Sequence, residues 1–309
     1  MKDQPYVQAN TNGRLHDARE PSLSPLDRSF LYGDSVYEVV RTYHGVMFAF
    51  QEHFRRLQHS ARAIGLELPF DESVLLTEIR RTVSAYFEHE GTEPRPELYL
   101  RWQISRGGGP IGLDTQLADV PVFVLLARAL PAPTEKSGKA KGLNLTIARQ
   151  THRNHPRTVN PAWKTGNYLN NVVALREARQ RRFDDVVLLN LDGHLTEAST
   201  SNLFFVRGKK VYTPPLSDGL LAGVTRGIIL QQARQAWDIE ISEETIVPGS
   251  LDSFEECFLT ATTRDIVPVG KIDGISYKLH SRTMTARLQK TFAGYVQDYA
   301  RRNTKHALF

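Results

Sequence analysis

Between Leu130 and Gly138 the chain reads Leu-Pro-Ala-Pro-Thr-Glu-Lys-Ser-Gly, with prolines at 131 and 133. Proline fixes φ and lacks a backbone donor, so this stretch suits neither a helix interior nor a sheet ladder and reads as a connector. It divides 309 residues into two parts, each long enough to bury a core of its own. The expected organisation is a small N-terminal domain over 1–129, a linker over 130–138 and a larger C-terminal domain over 139–309.

Both parts mix alternating or short apolar runs with longer runs of helical period. In the first, a hairpin at Asn12-Gly13, a strand turning at His44-Gly45 and strands Leu98–Ser105 and Val120–Ala129 flank two helices. The helix over 51–65 aligns Phe54, Leu57, Ala61 and Ile64, and the one over 71–88 aligns Val74, Leu75, Ile79, Val83 and Phe87. In the second part strands over 144–150, 185–190, 203–206, 211–213 and 256–259 alternate with helices over 167–182, 228–237 and 281–299. The class expected is therefore α+β, with an α/β first domain and a mostly β core flanked by helices in the second.

Composition excludes several classes of function. A hydrophobic fraction of 40% with 24% charged residues belongs to a folded globular chain. The longest apolar run, Val120–Leu126, is too short to cross a bilayer, and the first residues lack the apolar core of a signal peptide. Cys257 is the single cysteine, which rules out an intrachain disulfide and points to a reducing, cytoplasmic setting. The net charge of +5 comes from scattered arginines rather than a basic stripe with interleaved aromatics, so no nucleic-acid surface is expected. Such a balance suits small anionic ligands.

The chemistry concentrates in two segments. Asn160-Pro161-Ala162-Trp163-Lys164-Thr165-Gly166-Asn167-Tyr168-Leu169-Asn170-Asn171 places one lysine in an otherwise uncharged stretch just before a helix. A lysine amine that loses its proton on desolvation is a nucleophile toward carbonyl carbon, although an ordinary lysine ahead of a helix has the same appearance. Downstream, the turn at Asp192-Gly193 leads to Glu197, a lone acid among small polar residues that opens an apolar strand over 203–206. One acid is what a pyridine nitrogen needs to stay protonated. Leu221-Ala222-Gly223-Val224-Thr225 opens a helix, and the N–H groups of Val224 and Thr225 there favour an anion. Two further motifs carry less. The G-x-G-x-x-G over 107–112 is interrupted by Pro110 and leads to a strand rather than a helix, against a dinucleotide fingerprint. The pair His152 and His155 has no cysteine or H-E-x-x-H helix beside it, so a polar loop is favoured over a metal site.

Taken in order and spacing over nearly the whole chain, these segments resemble the class IV (fold type IV) pyridoxal-phosphate aminotransferases. That group includes branched-chain aminotransferases, D-amino acid aminotransferases and aminodeoxychorismate lyases. The resemblance implies that Lys164 carries pyridoxal 5′-phosphate and that Glu197 faces the ring nitrogen. It further implies that Tyr168 bonds the phenolic oxygen and that Arg56, Val224, Thr225 and Thr262 hold the phosphate. Phe30, Tyr32 and Tyr37 would wall the substrate pocket, a role for which packing in a strand core is an equal alternative. Thr263 would meet the substrate carboxylate, while Tyr99 and Arg101 would accept the second carboxylate of 2-oxoglutarate. Branched-chain members typically have glycine at the position of Val39, and Tyr37-Glu38-Val39 looks more like the D-amino acid branch. Some of them also have one more residue between the lysine and the tyrosine. The loop Pro110-Ile111-Gly112-Leu113 lacks the arginine and histidine of the D-amino acid branch. The reading most in keeping is transfer from a branched-chain or other hydrophobic L-amino acid to 2-oxoglutarate. The alternatives are a D-amino acid or (R)-amine transaminase, or the lyase. Expected partners are small amino and keto acids and further copies of the chain, as a homodimer or larger, with no membrane or nucleic acid.

Overall fold

The computed structural model describes residues 5–131 and 142–309. Beyond Pro131 the expected linker lies outside the described residues. Two compact units are present. The first takes the chain up to Pro131 with Trp163–Asn167 and Val296–Phe309, and the second takes the stretch up to Ala162 with Tyr168–Tyr295. Lys164 thus belongs to the first unit, although the sequence assigns it to the second. Its segment pairs with a first-unit strand, as described below, and that pairing outweighs its neighbours in sequence.

In the first unit the elements run β1 (Gln8–Thr11), β2 (Arg14–Asp17), α1 (Arg28–Tyr32), β3 (Ser35–Tyr43), β4 (Val46–Met47), α2 (Phe50–Ala63), α3 (Glu72–Glu90), β5 (Leu98–Ser105) and β6 (Val122–Ala129). The strands form a sheet in the order β2-β1-β6-β5-β3-β4, with antiparallel neighbours. Alternation along β5 sets the two faces. Leu98, Leu100, Trp102 and Ile104 are wholly buried in one core with Phe50 and Leu57 of α2 and Leu75 and Ile79 of α3. Each such aliphatic side chain stabilises the fold by about 1.5–3 kcal/mol relative to exposure. Tyr99, Arg101 and Gln103 point to the opposite face. Register carries this division into β3, where Glu38 stands opposite Trp102 and Tyr37 opposite Gln103. Glu38 therefore enters the helix-covered side between Val36 and Val40, while Tyr37 and Val39 share the other face with Arg101.

The second unit contains β7 (Leu143–Ile147), α4 (Leu169–Gln180), β8 (Asp185–Leu189), β9 (Leu195–Ala198), β10 (Asn202–Arg207), β11 (Lys210–Thr213), α5 (Val224–Gln232), β12 (Ile241–Glu243), β13 (Glu256–Ala261), β14 (Asp265–Ile272), β15 (Ile275–Ser276) and α6 (Met284–Arg302), whose residues from Val296 count with the first unit. Along the path β10-β13-β14-β7-β8-β9 the strands follow one another, and β9 returns to β10 through the pair Glu197 and Asn202. The path closes on itself at this one residue pair, while β11 and β12 continue the sheet beyond β10. The closure places Glu197 at the seam. The interior is packed by Leu145, Val187, Leu203, Phe205, Leu259 and Val269, among others. No described helix is long and apolar enough to cross a membrane.

Candidate active site

Lys164 is fixed through its main chain. Its segment runs antiparallel along the edge of β3, with Thr165 bridged to Val36. The Tyr37 N–H donates to the Lys164 carbonyl at 3.1 Å, and the Gly166 N–H to the Ser35 carbonyl at 2.8 Å. Only glycine permits so close an approach, since a Cβ at 166 would stand 2.3 Å from Ser35 Oγ. From the other side, the Lys164 N–H donates to Ser60 Oγ of α2 at 3.0 Å. The half-buried side chain ends with Nζ 3.4 Å from Tyr37 Oη and 4.4 Å from its ring centroid. Strand and helix together aim this amine.

Arg56, expected to hold phosphate, forms a two-point ion pair with Glu38: Nε lies 2.7 Å from Oε1 and Nη2 2.8 Å from Oε2. His53 Nδ1 lies 2.7 Å from Oε2, which makes it the donor toward a carboxylate. Glu38 and His53 have no exposed surface. Burial alone would raise the Glu38 carboxyl, but Arg56, reinforced by His53, holds it well below the usual carboxylate range. Burial pushes the His53 imidazole below the usual histidine range, and Glu38 offsets only part of that. Two of the five N–H groups of Arg56 are thereby committed, which fixes the plane in which its guanidinium can meet an anion.

On the opposite face of the sheet Arg101 stacks over the Tyr37 ring at 3.8 Å, and its Nη2 donates to Gln103 Oε1 at 2.7 Å. Gln103 in turn donates to Ser35 Oγ at 2.8 Å. Tyr37 is therefore shared between Arg101 and Lys164. Tyr99 instead lies beneath Arg128, 4.5 Å from its guanidinium carbon. Phe30 and Tyr32 sit on the short helix α1, where the sequence pattern implies the approach to a strand. An Asp27 cap that accepts from the Ser29 N–H starts this turn. Phe30 is 74% exposed. Tyr32 Oη accepts from the Gly112 N–H, and its ring lies under Arg28.

In the second unit Glu197 is 5% exposed, and both of its oxygens are engaged. Oε1 accepts from Arg153 Nε at 2.8 Å, while Oε2 accepts from the Leu221 N–H at 3.2 Å and from Asn202 Nδ2 at 3.4 Å. Asn202 also donates to the Leu221 carbonyl, which links Glu197 to the segment ahead of α5. Val224 and Thr225 form the first turn of α5, where the backbone N–H groups have no acceptor within the helix. Gly223 precedes them because a Cβ there would lie 1.9 Å from Asn202 Oδ1. Thr262 and Thr263 occupy the turn between β13 and β14, which Arg264 joins to the 199–201 turn through Ser201 Oγ at 3.0 Å. Tyr168 immediately precedes α4.

Thr260 supplies the test of whether a cofactor fits. It pairs across the strands with Asn202, so it shares the face that bears Glu197, and its buried Oγ1 has no hydrogen-bond partner. A buried hydroxyl without a partner is costly unless a further group satisfies it. With an anionic carboxylate and an open helix N-terminus nearby in the fold, the donor set fits a protonated ring bearing a phosphate.

Glu38, His53, Ser60, Arg153 and Asn202 were not singled out from sequence. Alternation could have found Glu38, a charge at a core position between Val36 and Val40. Arg153 lies inside the motif read only for its two histidines; His155 accepts from the Arg157 N–H there, and the His152 carbonyl accepts from Asn170. Among the described residues no group of three or more potential metal ligands occurs.

Residues 35–272 match the model of the family described as amino-transferase class IV. A relative from Methanocaldococcus jannaschii, described as a putative branched-chain-amino-acid aminotransferase, is 30% identical over 85% of this chain and 87% of its own. The D-alanine aminotransferase of Bacillus licheniformis is likewise 30% identical, over the same 85% and 87%. Among solved structures, the branched-chain aminotransferase of Thermoproteus uzoniensis with norvaline superposes with a TM-score of 0.86 at 27% identity, covering 98% of this chain and 100% of that one.

Proposed function

This chain belongs to the class IV aminotransferases and has their fold type IV, and from that premise we propose that it uses pyridoxal phosphate to move an amino group from a branched-chain or other hydrophobic L-amino acid to 2-oxoglutarate. The observation that carries the reading is Lys164, an amine held by its own backbone between Ser60 and Tyr37. Bound pyridoxal phosphate would supply the electron sink for the charge left when the substrate loses its α-proton. Lys164 acts as the base that takes this proton and the acid that returns it. Tyr37, 3.4 Å from Nζ, orients the amine. Glu197 offers the ring nitrogen an anion. Arg56, Val224, Thr225 and Thr262 hold the phosphate, and Tyr168 meets the phenolic oxygen.

Arg101 supports the choice of acceptor. Its guanidinium lies over the ring that Lys164 also touches, so a positive charge stands beside an apolar wall on one sheet face. An aliphatic donor would use the wall and an acidic acceptor the charge. A D-amino acid donor is the second reading, favoured by Val39, whose side chain occupies the position directly across from Arg101. The test is an absorption spectrum for bound cofactor, then both half-reactions of wild type and Arg101→Ala with L-leucine, D-leucine, D-alanine and an (R)-arylamine. Loss of one charge-assisted hydrogen bond, about 1.5–3 kcal/mol, should weaken 2-oxoglutarate roughly ten- to a hundredfold and leave L-leucine nearly unchanged. Preference for the D-amino acids or the amine would move the protein to that branch. Release of pyruvate without an amino acceptor would indicate the lyase.

We also propose that the chain works as a homodimer or larger assembly. Leu169, Val172 and Val173 are spaced as one helical face of α4 and are 73%, 57% and 45% exposed. An apolar stripe of this kind on a helix surface favours burial against another chain.

A further inference from the structure

Glu197 is buried in a unit where the residue bonded to its Oε1 is itself buried and charged. Arg153 is 9% exposed and donates Nε at 2.8 Å. Its main chain and its side chain are each tied to a neighbour. Its own N–H donates to the Leu189 carbonyl at 2.7 Å. Its Nη1 lies 3.5 Å from Asn170 Oδ1, and Asn170 Nδ2 donates to the His152 carbonyl at 2.8 Å. With its amide nitrogen engaged by that carbonyl, Asn170 can present only oxygen to the guanidinium. The arginine therefore cannot swing away without giving up both Glu197 and the oxygen that Asn170 holds toward it. A buried guanidinium positioned this firmly against one carboxylate oxygen is more than a surface ion pair, which contributes little.

We infer that Arg153 is the positioning residue that keeps Glu197 anionic and aimed, so that the proton between this carboxylate and the cofactor ring stays on the ring nitrogen. The inference rests on the reading of Glu197 as the partner of that nitrogen. A carboxylate that shares its charge with a guanidinium accepts a hydrogen bond without taking the proton. In a dry site without the guanidinium, the neutral pair of carboxylic acid and unprotonated ring is favoured instead, because it buries no separated charge. The electron sink is then lost even though every atom of Glu197 remains.

The experiment reconstitutes the full chain with pyridoxal phosphate labelled with nitrogen-15 in the ring and follows the ring-nitrogen resonance with pH. Wild type should show a protonated nitrogen throughout the neutral range. Arg153→Gln keeps a donor but no charge, and should move the resonance to the unprotonated position. Arg153→Lys should restore much of the protonated signal. Turnover of Arg153→Gln should fall about ten- to a hundredfold, the range found when outer partners of a metal ligand are removed, with KM for the amino donor little changed. Melting temperatures of the cofactor-free Arg153→Gln, Glu197→Gln and double variants separate folding from function. A purely structural arginine would lower the melting temperature yet leave the nitrogen protonated, and that result overturns the inference. A resonance unchanged in Glu197→Gln would instead overturn the placement of the ring at Glu197, and the inference with it.

Discussion

His53 has no exposed surface, yet it carries a titratable ring against Glu38, Arg56 and the charge of Lys164. Because burial keeps its folded-state affinity for protons below the usual histidine range, the unfolded chain takes up a proton first as pH falls. The stability His53 contributes is therefore present above the ordinary histidine pKa and is lost as pH drops through it toward the lower folded value. Between about pH 7.5 and pH 5 the wild type should lose up to about 2 kcal/mol more than His53→Gln in urea unfolding. Parallel curves for the two proteins would show that His53 protonates normally in the fold. At this scale the sequence was informative where chemistry is rare. One lysine in an uncharged stretch and one acid among small residues could be picked out, but their partners could not. Arg153 is 44 positions from Glu197 and Ser60 is 104 from Lys164, and only the fold brings such residues together. Glu38 is different, since its place in an alternating strand already marked it as buried.

Elements were legible wherever a period repeated. The helical spacing of Phe54, Leu57 and Ala61 became α2, and the alternation over 98–105 became β5 with its two faces. Short pieces governed by a single cap were not legible. A five-residue turn begun by Asp27 offers no full period to recognise, so α1 merged with the approach to β3. The junction before α5 is likewise set by contact rather than pattern. Gly223→Ala would bring a Cβ within 1.9 Å of Asn202 Oδ1, and overpacking of this kind typically costs about 1–3 kcal/mol. Because Asn202 also holds Glu197 and Leu221, the variant should lower both the melting temperature and the affinity for pyridoxal phosphate. Titration of the cofactor-free variant with pyridoxal phosphate checks this. Wild-type affinity would mean that α5 and Glu197 are held independently.

For the whole molecule, chain order and unit membership diverge, which no connector in the sequence could show. Trp163–Asn167 joins the first unit through β3, and Val296–Phe309 joins it as well. Pairing across more than a hundred residues leaves no local trace in sequence. The apolar face of α4 belongs to this scale too. Light scattering should give at least twice the chain mass for wild type, and Val172→Glu with Val173→Glu should shift the protein toward one chain; a wild-type monomer would remove the proposed assembly. The central claim is that Lys164 bears the cofactor. Borohydride reduction of the protein loaded with pyridoxal phosphate, followed by peptide mapping, tests it most directly. The predicted result is a phosphopyridoxyl group on Lys164 and none in Lys164→Ala, whereas a stoichiometric label on another lysine, with Lys164 unmodified, would contradict it.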